Sequence, residues 1–437
     1  MSTPLLLRGG TLVDPKAGTV RTGDLFIRNG RIETPPATPP GDTQLVDAKG
    51  LTVVPGLIDI HVHLREPGNE QAETIETGCR AAARGGFTTV VAMPNTQPPL
   101  DTPKLVAQVI ATAEKLGLAR VIPSACITYN RAGERLADLP ALRKAGALVF
   151  TDDGTAVPSQ ELMLRAMQTA RDLGVPIMEH AQDPDLGRGG VMHDGRFSEH
   201  WKLPGIPSAS EFRIVERDIA LARQTGCALH IQHVSARESV DLIREARRKG
   251  YPVSGELTPH HLALTEADVQ PDNASFKMNP PLRSQADQEA LAEAVIEGTL
   301  QAFATDHAPH TAAAKARGFL TAPFGIIGLE TAVGITYTRL VATRRMNLLA
   351  WTQRWTTGPA AILGLPTPSL APGSPADIAL LDLSSNWKVD AATSASKSRN
   401  TPFDGCTFTG RSVCTIFSGN VVWSDPGLAG RLAQVAR

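Results

Sequence analysis

Two histidines one residue apart, His61 and His63, close the apolar run VVPGLIDIHVHLRE. Val53 to Leu64 is β-branched and aliphatic, and Pro55-Gly56 and Pro67-Gly68 bound it, which predicts a buried strand. Side chains at i and i+2 share one face of a strand. The two imidazoles therefore project together from its end, with Asp59 on the same face and Arg65 just beyond. Paired imidazoles placed this way can hold a divalent transition metal. An H-x-H on its own is a weak signal. Its weight comes from what recurs along the chain. Asn95 follows TTVVAMP, Thr151-Asp152-Asp153-Gly154 ends ALVF, and His180 ends VPIME. His233 follows ALHIQ, His260 and His261 follow YPVSGELTP, and Asp306, His307 and His310 end QAFAT. Eight of the 11 histidines stand at the ends of apolar runs, a concentration that core packing does not require. Four histidines and two aspartates can hold two metal ions if one carboxylate bridges them. Two ions roughly 3.5–4 Å apart can share a hydroxide, polarise a carbonyl and stabilise an oxyanion.

These residues need a scaffold that brings distant run ends to one place. The middle of the chain alternates strand-like and helix-like stretches. The strand-like runs are VPGLIDIHVHL, TTVVAMPN, RVIPSACIT, ALVFTDD, VPIMEHA, ALHIQHVS, YPVSGELTPH and QAFATDHAPH. Helical patterns between them include ETIETGCRAAARGG, PKLVAQVIATAEKLG, PSQELMLRAMQTARDLG, ASEFRIVERDIALARQTG and RESVDLIREARRKG, the last four closing at a glycine. Eight strands alternating with helices imply parallel pairing and an α/β fold of the (β/α)8 TIM-barrel type. Functional residues of such a barrel gather at the C-terminal ends of its strands. Short strand-like pieces with glycine turns precede residue 55, and a similar texture returns after residue 371. The two ends are expected to pair into one small β-sandwich. The division reads 1–55 with 366–437 for the sandwich and 56–365 for the barrel.

Composition excludes several classes. With 437 residues and a formal net charge of −1, no basic patch or like-charge block stands out, so neither nucleic acid nor an anionic membrane is an expected partner. MSTPLLLRGG is too short an apolar run for a signal peptide, and no segment is long enough to span a bilayer. The five scattered cysteines include no C-x-x-C pair and fit reduced structural thiols, so a cytoplasmic location is the default expectation.

PGLIDIHVHLREPG, the MPNT at Met93–Thr96, FTDDG, MEHAQD, IQHVSA, GELTPHHL, KMNPPLR, ATDHAPH, FGIIGLET and NTPFDG carry a resemblance. By them the chain resembles the amidohydrolase superfamily and, more closely, dihydroorotases of the bacterial type I group, over residues 55 to about 405. REPG after H-x-H and DHAPH are the most specific of these signatures. The resemblance implies reversible hydrolysis of (S)-dihydroorotate to N-carbamoyl-L-aspartate, the third step of de novo pyrimidine (UMP) synthesis. It implies zinc, one or two ions per chain and two by expectation. His61 and His63 resemble ligands of the first ion with Asp306, and His180 and His233 those of the second. Asp153 resembles the bridging carboxylate, while alternation alone says only that one of Asp152 and Asp153 faces inward. Asp306 also resembles the catalytic proton shuttle. Arg65, Asn95 and His310 resemble the residues that hold the substrate carboxylate, with Asn279, Phe324 and Gly325 as further substrate contacts. ALVFTDDG lacks the lysine that bridges the metals in many amidohydrolases, and Lys144 lies upstream in a helical stretch, which favours this group over hydantoinases, allantoinases and the lysine-bridged dihydroorotases. The resemblance further implies a homodimer and an association with aspartate transcarbamoylase. Two alternatives stand beside it: a hydantoinase- or allantoinase-like cyclic amidase, and a silent scaffold for aspartate transcarbamoylase.

Other histidines read as structural. His260 and His261 stay open between pocket and core, with a structural role favoured. His193 and His200 read as surface residues and His230 as structural.

Overall fold

The computed structural model describes residues 3–434. Its centre is a circuit of parallel strands. Leu57–Val62 pairs with Phe87–Ala92, which pairs with Arg120–Pro123. Ala125 then bridges Phe150, and Phe150 bridges Ile177. Ile177–Glu179 pairs with Leu229–Ile231, followed by Val253–Leu257 and Ala302–Phe303. His307 bridges back to Val62, so the circuit closes. Both faces of these strands are covered, which is why the runs are nearly all apolar rather than alternating.

The expected helices form over Ile75–Gly85, Pro103–Leu116, Gln160–Asp172, Ala209–Thr225 and Arg237–Arg248. Their ends follow from local chemistry. Thr74 caps the first through the Thr77 amide, and Ser159 caps the third through the Leu162 amide. Gly86, Gly117 and Gly226 stop their helices in the left-handed conformation. Each helix lays an apolar stripe on the strands, as the pairs Ile214-Val215 and Leu221-Ala222 do seven residues, or about two turns, apart. Burying each such isoleucine, valine or leucine side chain stabilises the fold by ~1.5–3 kcal/mol.

Two expected strands are shorter than their sequences suggest. ALVFTDD contributes single bridges at Phe150, and QAFATDHAPH contributes only Ala302–Phe303 as strand. Side-chain carboxylates replace the missing ladder. Asp152 accepts from the amides of Ile127 and Thr128, and Asp59 accepts from the amide and hydroxyl of Thr305.

The two ends of the chain meet in one sheet. Ile378–Lys388 runs antiparallel to Thr52–Pro55, with Ile378 opposite Pro55 and Leu381 opposite Thr52. The hydrogen bonding forms one connected nine-stranded sheet. Leu5–Asp14 serves Gln44–Asp47 with its first half and Thr52–Pro55 with its second. The switch falls at Gly9-Gly10: Gly9 has φ +71°, and a Cβ on Gly10 would sit 2.8 Å from the Val53 side chain. Leu7, Leu12, Ile27, Val53, Ile378 and Ile416 build a core here that is separate from the core of the strand circuit. The C-terminal segment is not confined to this sheet. Val389, Phe403 and Phe408 pack with Met278, Phe319 and Ile326 beside the loops of the circuit.

Candidate active site

The C-terminal ends of the parallel strands surround a cleft of about 200 Å³. Every residue of the expected site lines it except His61, which is fully buried beneath it. His61, His63 and Asp306 place ligand atoms within 4.8 Å of one another, and so do His61, Asp153 and His233.

His61 shows what this floor requires. Its Nδ1 stands 2.8 Å from Glu256 Oε1. A carboxylate only accepts, so Nδ1 carries a proton and Nε2 is the atom turned to the cleft. Nε2 is buried and without a hydrogen-bond partner, 3.2 Å from Asp153 Oδ1 and 3.6 Å from Asp306 Oδ1. Burial opposes a charge on this ring, but Asp153 and Asp306 outweigh it and push the His61 pKa up. Two carboxylates converging on one orphaned imidazole nitrogen form a donor set that fits a divalent cation.

The remaining ligating groups close around this point. His63 Nε2 lies 3.0 Å from Asp306 Oδ1, while its Nδ1 meets Asn95 Oδ1 at 2.8 Å. His180 Nδ1 lies 2.9 Å from His233 Nε2 and 3.7 Å from Asp153 Oδ1. Burial pushes the Asp153 pKa up, yet His61 first, and then His180 and His63 beside it, hold it well below the usual range. Asp153 is the inward member of its pair. Asp152 points away and is consumed by the backbone at residues 127–128.

Three of these residues adopt left-handed backbone: Arg65 at φ 60°, His233 at 30° and Asp306 at 47°. Non-glycine residues in such regions cost ~1–3 kcal/mol each and gather at functional sites. The kink at His233 also breaks strand parity. His230 and Gln232 face the interior of the circuit, and the kink turns His233 there too.

On the open side, Arg65 Nε donates to the Pro309 carbonyl at 3.1 Å, and its Nη2 lies 3.3 Å from His310 Nε2. His310 Nε2 is 2.7 Å from the Phe324 carbonyl. Burial and the Arg65 charge push the His310 pKa down to about 3. The ring is neutral with a single N–H, so the positive charge on this wall comes from Arg65. Asn95 also departs from a purely substrate-facing role, since its amide links His63 to Asp153 Oδ2, the latter at 3.0 Å. Asn279 donates to Gln182 Oε1 at 2.6 Å and approaches His180 Nε2 at 3.2 Å.

Other histidines sort by their bonds. His261 meets the Thr258 hydroxyl and the Pro280 carbonyl, and both it and His260 are buried away from the cleft. His230 joins Ser254 to Glu256, as a structural residue would. His200 is exposed, but His193 is half-buried against Arg283, because that arginine reaches its Nδ1 at 3.2 Å. Sequence reading missed Glu256, Gln182 and Arg131, whose guanidinium holds the carbonyls of Asp152 and Asp153. Glu256 left one trace, a lone carboxylate inside the apolar run YPVSGEL.

Comparison with known proteins places this arrangement. Residues 50–239 match a family model described as dihydro-orotase-like. The dihydroorotase of Solibacter usitatus is 43% identical over 96% of this chain and 98% of its own length. That of Pelotomaculum thermopropionicum is 47% identical over 96% and 99%. Among solved structures, the L-hydantoinase (dihydropyrimidinase) from Arthrobacter aurescens superposes with a TM-score of 0.85 at 26% identity, covering 96% of both chains. Identity is far higher to the dihydroorotases than to the hydantoinase of similar fold, over nearly the full length in each case, and the chain belongs to the dihydroorotase family.

Proposed function

We propose that this chain is a zinc-dependent dihydroorotase, interconverting (S)-dihydroorotate and N-carbamoyl-L-aspartate in de novo pyrimidine synthesis. The observation that carries this is one cleft holding a carboxylate-linked histidine cluster on its floor and the Arg65 guanidinium on its wall. The reading treats the closed strand circuit as a (β/α)8 barrel over 56–365, and the terminal sheet, 1–55 with 366–437, as a β-sandwich. His61, His63 and Asp306 would hold one ion, His180 and His233 a second, with Asp153 between them. When bound, such ions supply Lewis acidity, making water more acidic and polarising an amide carbonyl.

The chain's own groups do the rest. Arg65 offers a bidentate fork to the ring carboxylate, and the second amide hydrogen of Asn95 offers a neutral donor beside it; His310 would join them by moving its one N–H from the Phe324 carbonyl to the substrate. Asn279, with Phe324 and Gly325, borders the ring. In the hydrolytic direction water attacks the ring amide carbonyl. Asp306 accepts its proton and delivers it to the departing ring nitrogen as the C–N bond breaks. Glu256 keeps Nδ1 of His61 protonated so that Nε2 faces the reaction.

Asp153 occupies the central position, and Lys144 ends the short helix Leu139–Lys144, which supports this reading over a lysine-bridged cyclic amidase. The test is turnover by purified, zinc-loaded chain of dihydroorotate against hydantoin and allantoin. Preference for a carboxylate-free ring overturns it, and absence of turnover by the isolated chain favours the scaffold reading. A homodimer and an association with aspartate transcarbamoylase belong to the same proposal, and sedimentation of the chain with and without that partner tests them. Among the described residues no helix is long and apolar enough to cross a membrane, consistent with the proposed cytoplasmic setting.

A further inference from the structure

Two buried lysines stand next to the cleft and take no part in the chemistry above. Lys315 is 9% exposed and Lys277 3%. They lie behind the wall formed by Asn279, Phe324 and Gly325. Lys315 ends the short helix Ala312–Lys315 within the loop that runs from Pro309 to Gly325. Its ammonium leaves that helix and donates to the carbonyls of Ala274 at 2.9 Å, Lys277 at 3.2 Å and Pro323 at 2.9 Å. Lys277 reaches the opposite way. Its ammonium donates to the Leu320 carbonyl at 3.0 Å and lies 4.6 Å from the centre of the Phe324 ring. The Lys277 carbonyl also accepts from the Gly325 amide at 2.9 Å.

The bonding is reciprocal. A lysine of the loop holds the backbone of segment 274–277, and a lysine of that segment holds the loop. Burial, then the charges of Lys277 and Arg65, push the Lys315 pKa down to about 7. A buried charge without a counter-ion is unfavourable unless hydrogen bonds compensate it. Three fixed carbonyls match the three N–H groups of an ammonium. Such a cation fixes backbone positions rather than pairing charge. The positions fixed are one residue before Phe324 and two before Asn279. Arg317, Gly318 and Leu320, on the outer side of the same loop, are exposed.

We propose that Lys315 and Lys277 are positioning residues, a reciprocal latch that holds the 309–325 loop on segment 274–279 so that Asn279, Phe324 and Gly325 meet the substrate as one wall. The proposal rests on the cyclic-amide reading of the cleft for its kinetic arm only. The latch acts on substrate binding, while the proton shuttle and the cation site stay as they are.

The test uses Lys315→Met, which keeps the stem and removes the ammonium, and Lys277→Met, in zinc-loaded full-length chain. The first readout is the rate at which trypsin releases the fragment ending at exposed Arg317. The second is the split of KM and kcat on dihydroorotate. Loss of hydrogen bonds from a charged group predicts cleavage about tenfold faster or more, and KM raised about tenfold with kcat within about threefold of wild type. Cleavage and KM both within about twofold of wild type would overturn the latch. A fall in kcat at unchanged KM would overturn it too. Where Lys315→Met does not fold, Lys277→Met decides by the same criteria. Wild-type chain that leaves dihydroorotate untouched refutes the substrate reading, and the proteolysis arm still judges the latch.

Discussion

A buried histidine ligates through one nitrogen only if the other is told what to do. Glu256 gives that instruction to His61, and burial, which raises its pKa, is outweighed by hydrogen bonds from His230 and His61 that hold it at about 2. It therefore stays ionised at and well below neutral pH. Glu256→Gln keeps the shape and removes the charge. Partners that orient ligating histidines typically contribute ~10–100-fold, so zinc competition should show weaker retention of that order at unchanged far-UV circular dichroism. Unaltered affinity would make Glu256 a mere packing residue. At the wall, Arg65→Met removes the one charged donor beside a neutral His310. The loss in kcat/KM for dihydroorotate should be roughly ten- to a hundred-fold with metal content intact, and a change under threefold would assign the carboxylate elsewhere. Asp306→Asn should retain the fold and lower kcat by ~10²–10⁴-fold, read under metal-saturating conditions. The histidines of this site were legible because spacing and strand ends mark them. Glu256 was not, since a single carboxylate in an apolar run has no period to reveal it.

At the scale of elements, Asp152 and Asp153 show where alternation runs out. Neighbouring carboxylates on one run must face opposite ways, but no rule of pattern says which faces in. The outward one decides it by bonding. Asp152 takes the amides of Ile127 and Thr128 together with the Thr128 hydroxyl, stitching the end of the third strand to the fourth. The fourth run is consequently held by side chains more than by a ladder, which is why ALVFTDD read as a full strand and forms only bridges at Phe150. Alternation likewise does not show the turn of His233, because a backbone at φ 30° is uncommon outside glycine and leaves no pattern of residue types to mark it. The helices were legible nearly to their ends, since caps and closing glycines are local chemistry. Opposite duties predict opposite phenotypes. Asp152→Ala leaves buried donors unpaired and should lower stability by about 2 kcal/mol or more in urea titration. At low temperature it should still bind metal. Asp153→Ala should lose metal first while its unfolding midpoint without metal stays near that of metal-free wild type. The reverse assignment of these phenotypes would mean that Asp152 is the residue facing the ions.

Taken as a whole, the molecule shares its architecture with a hydantoinase at a TM-score of 0.85 and its sequence with dihydroorotases at 43–48% identity. Architecture alone does not select a substrate. What distinguishes chains on this scaffold is what the strand ends carry, here Asp153 among the histidines and the Arg65 guanidinium on the wall. The site also has a mechanical consequence. His61 and His63 come from the first run, Asp153 from the fourth, His180 from the fifth, His233 from the sixth and Asp306 from the eighth. An ion held by these groups would fasten the circuit across its diameter, at the same end where the first and eighth runs meet through the His307–Val62 bridge and the His63 amide on the His307 carbonyl. An ion that binds only the folded chain adds stability by mass action, about 2.7 kcal/mol when free metal exceeds its dissociation constant a hundredfold. Dialysis against a chelator should therefore abolish turnover and lower the calorimetric melting transition, and zinc should restore both. Asp153→Ala should melt at one temperature regardless of zinc over the range that saturates wild type. A fully active chain after complete metal removal would refute the metal site, and a melting transition indifferent to zinc in active wild type would show that the ions serve the chemistry without bracing the circuit.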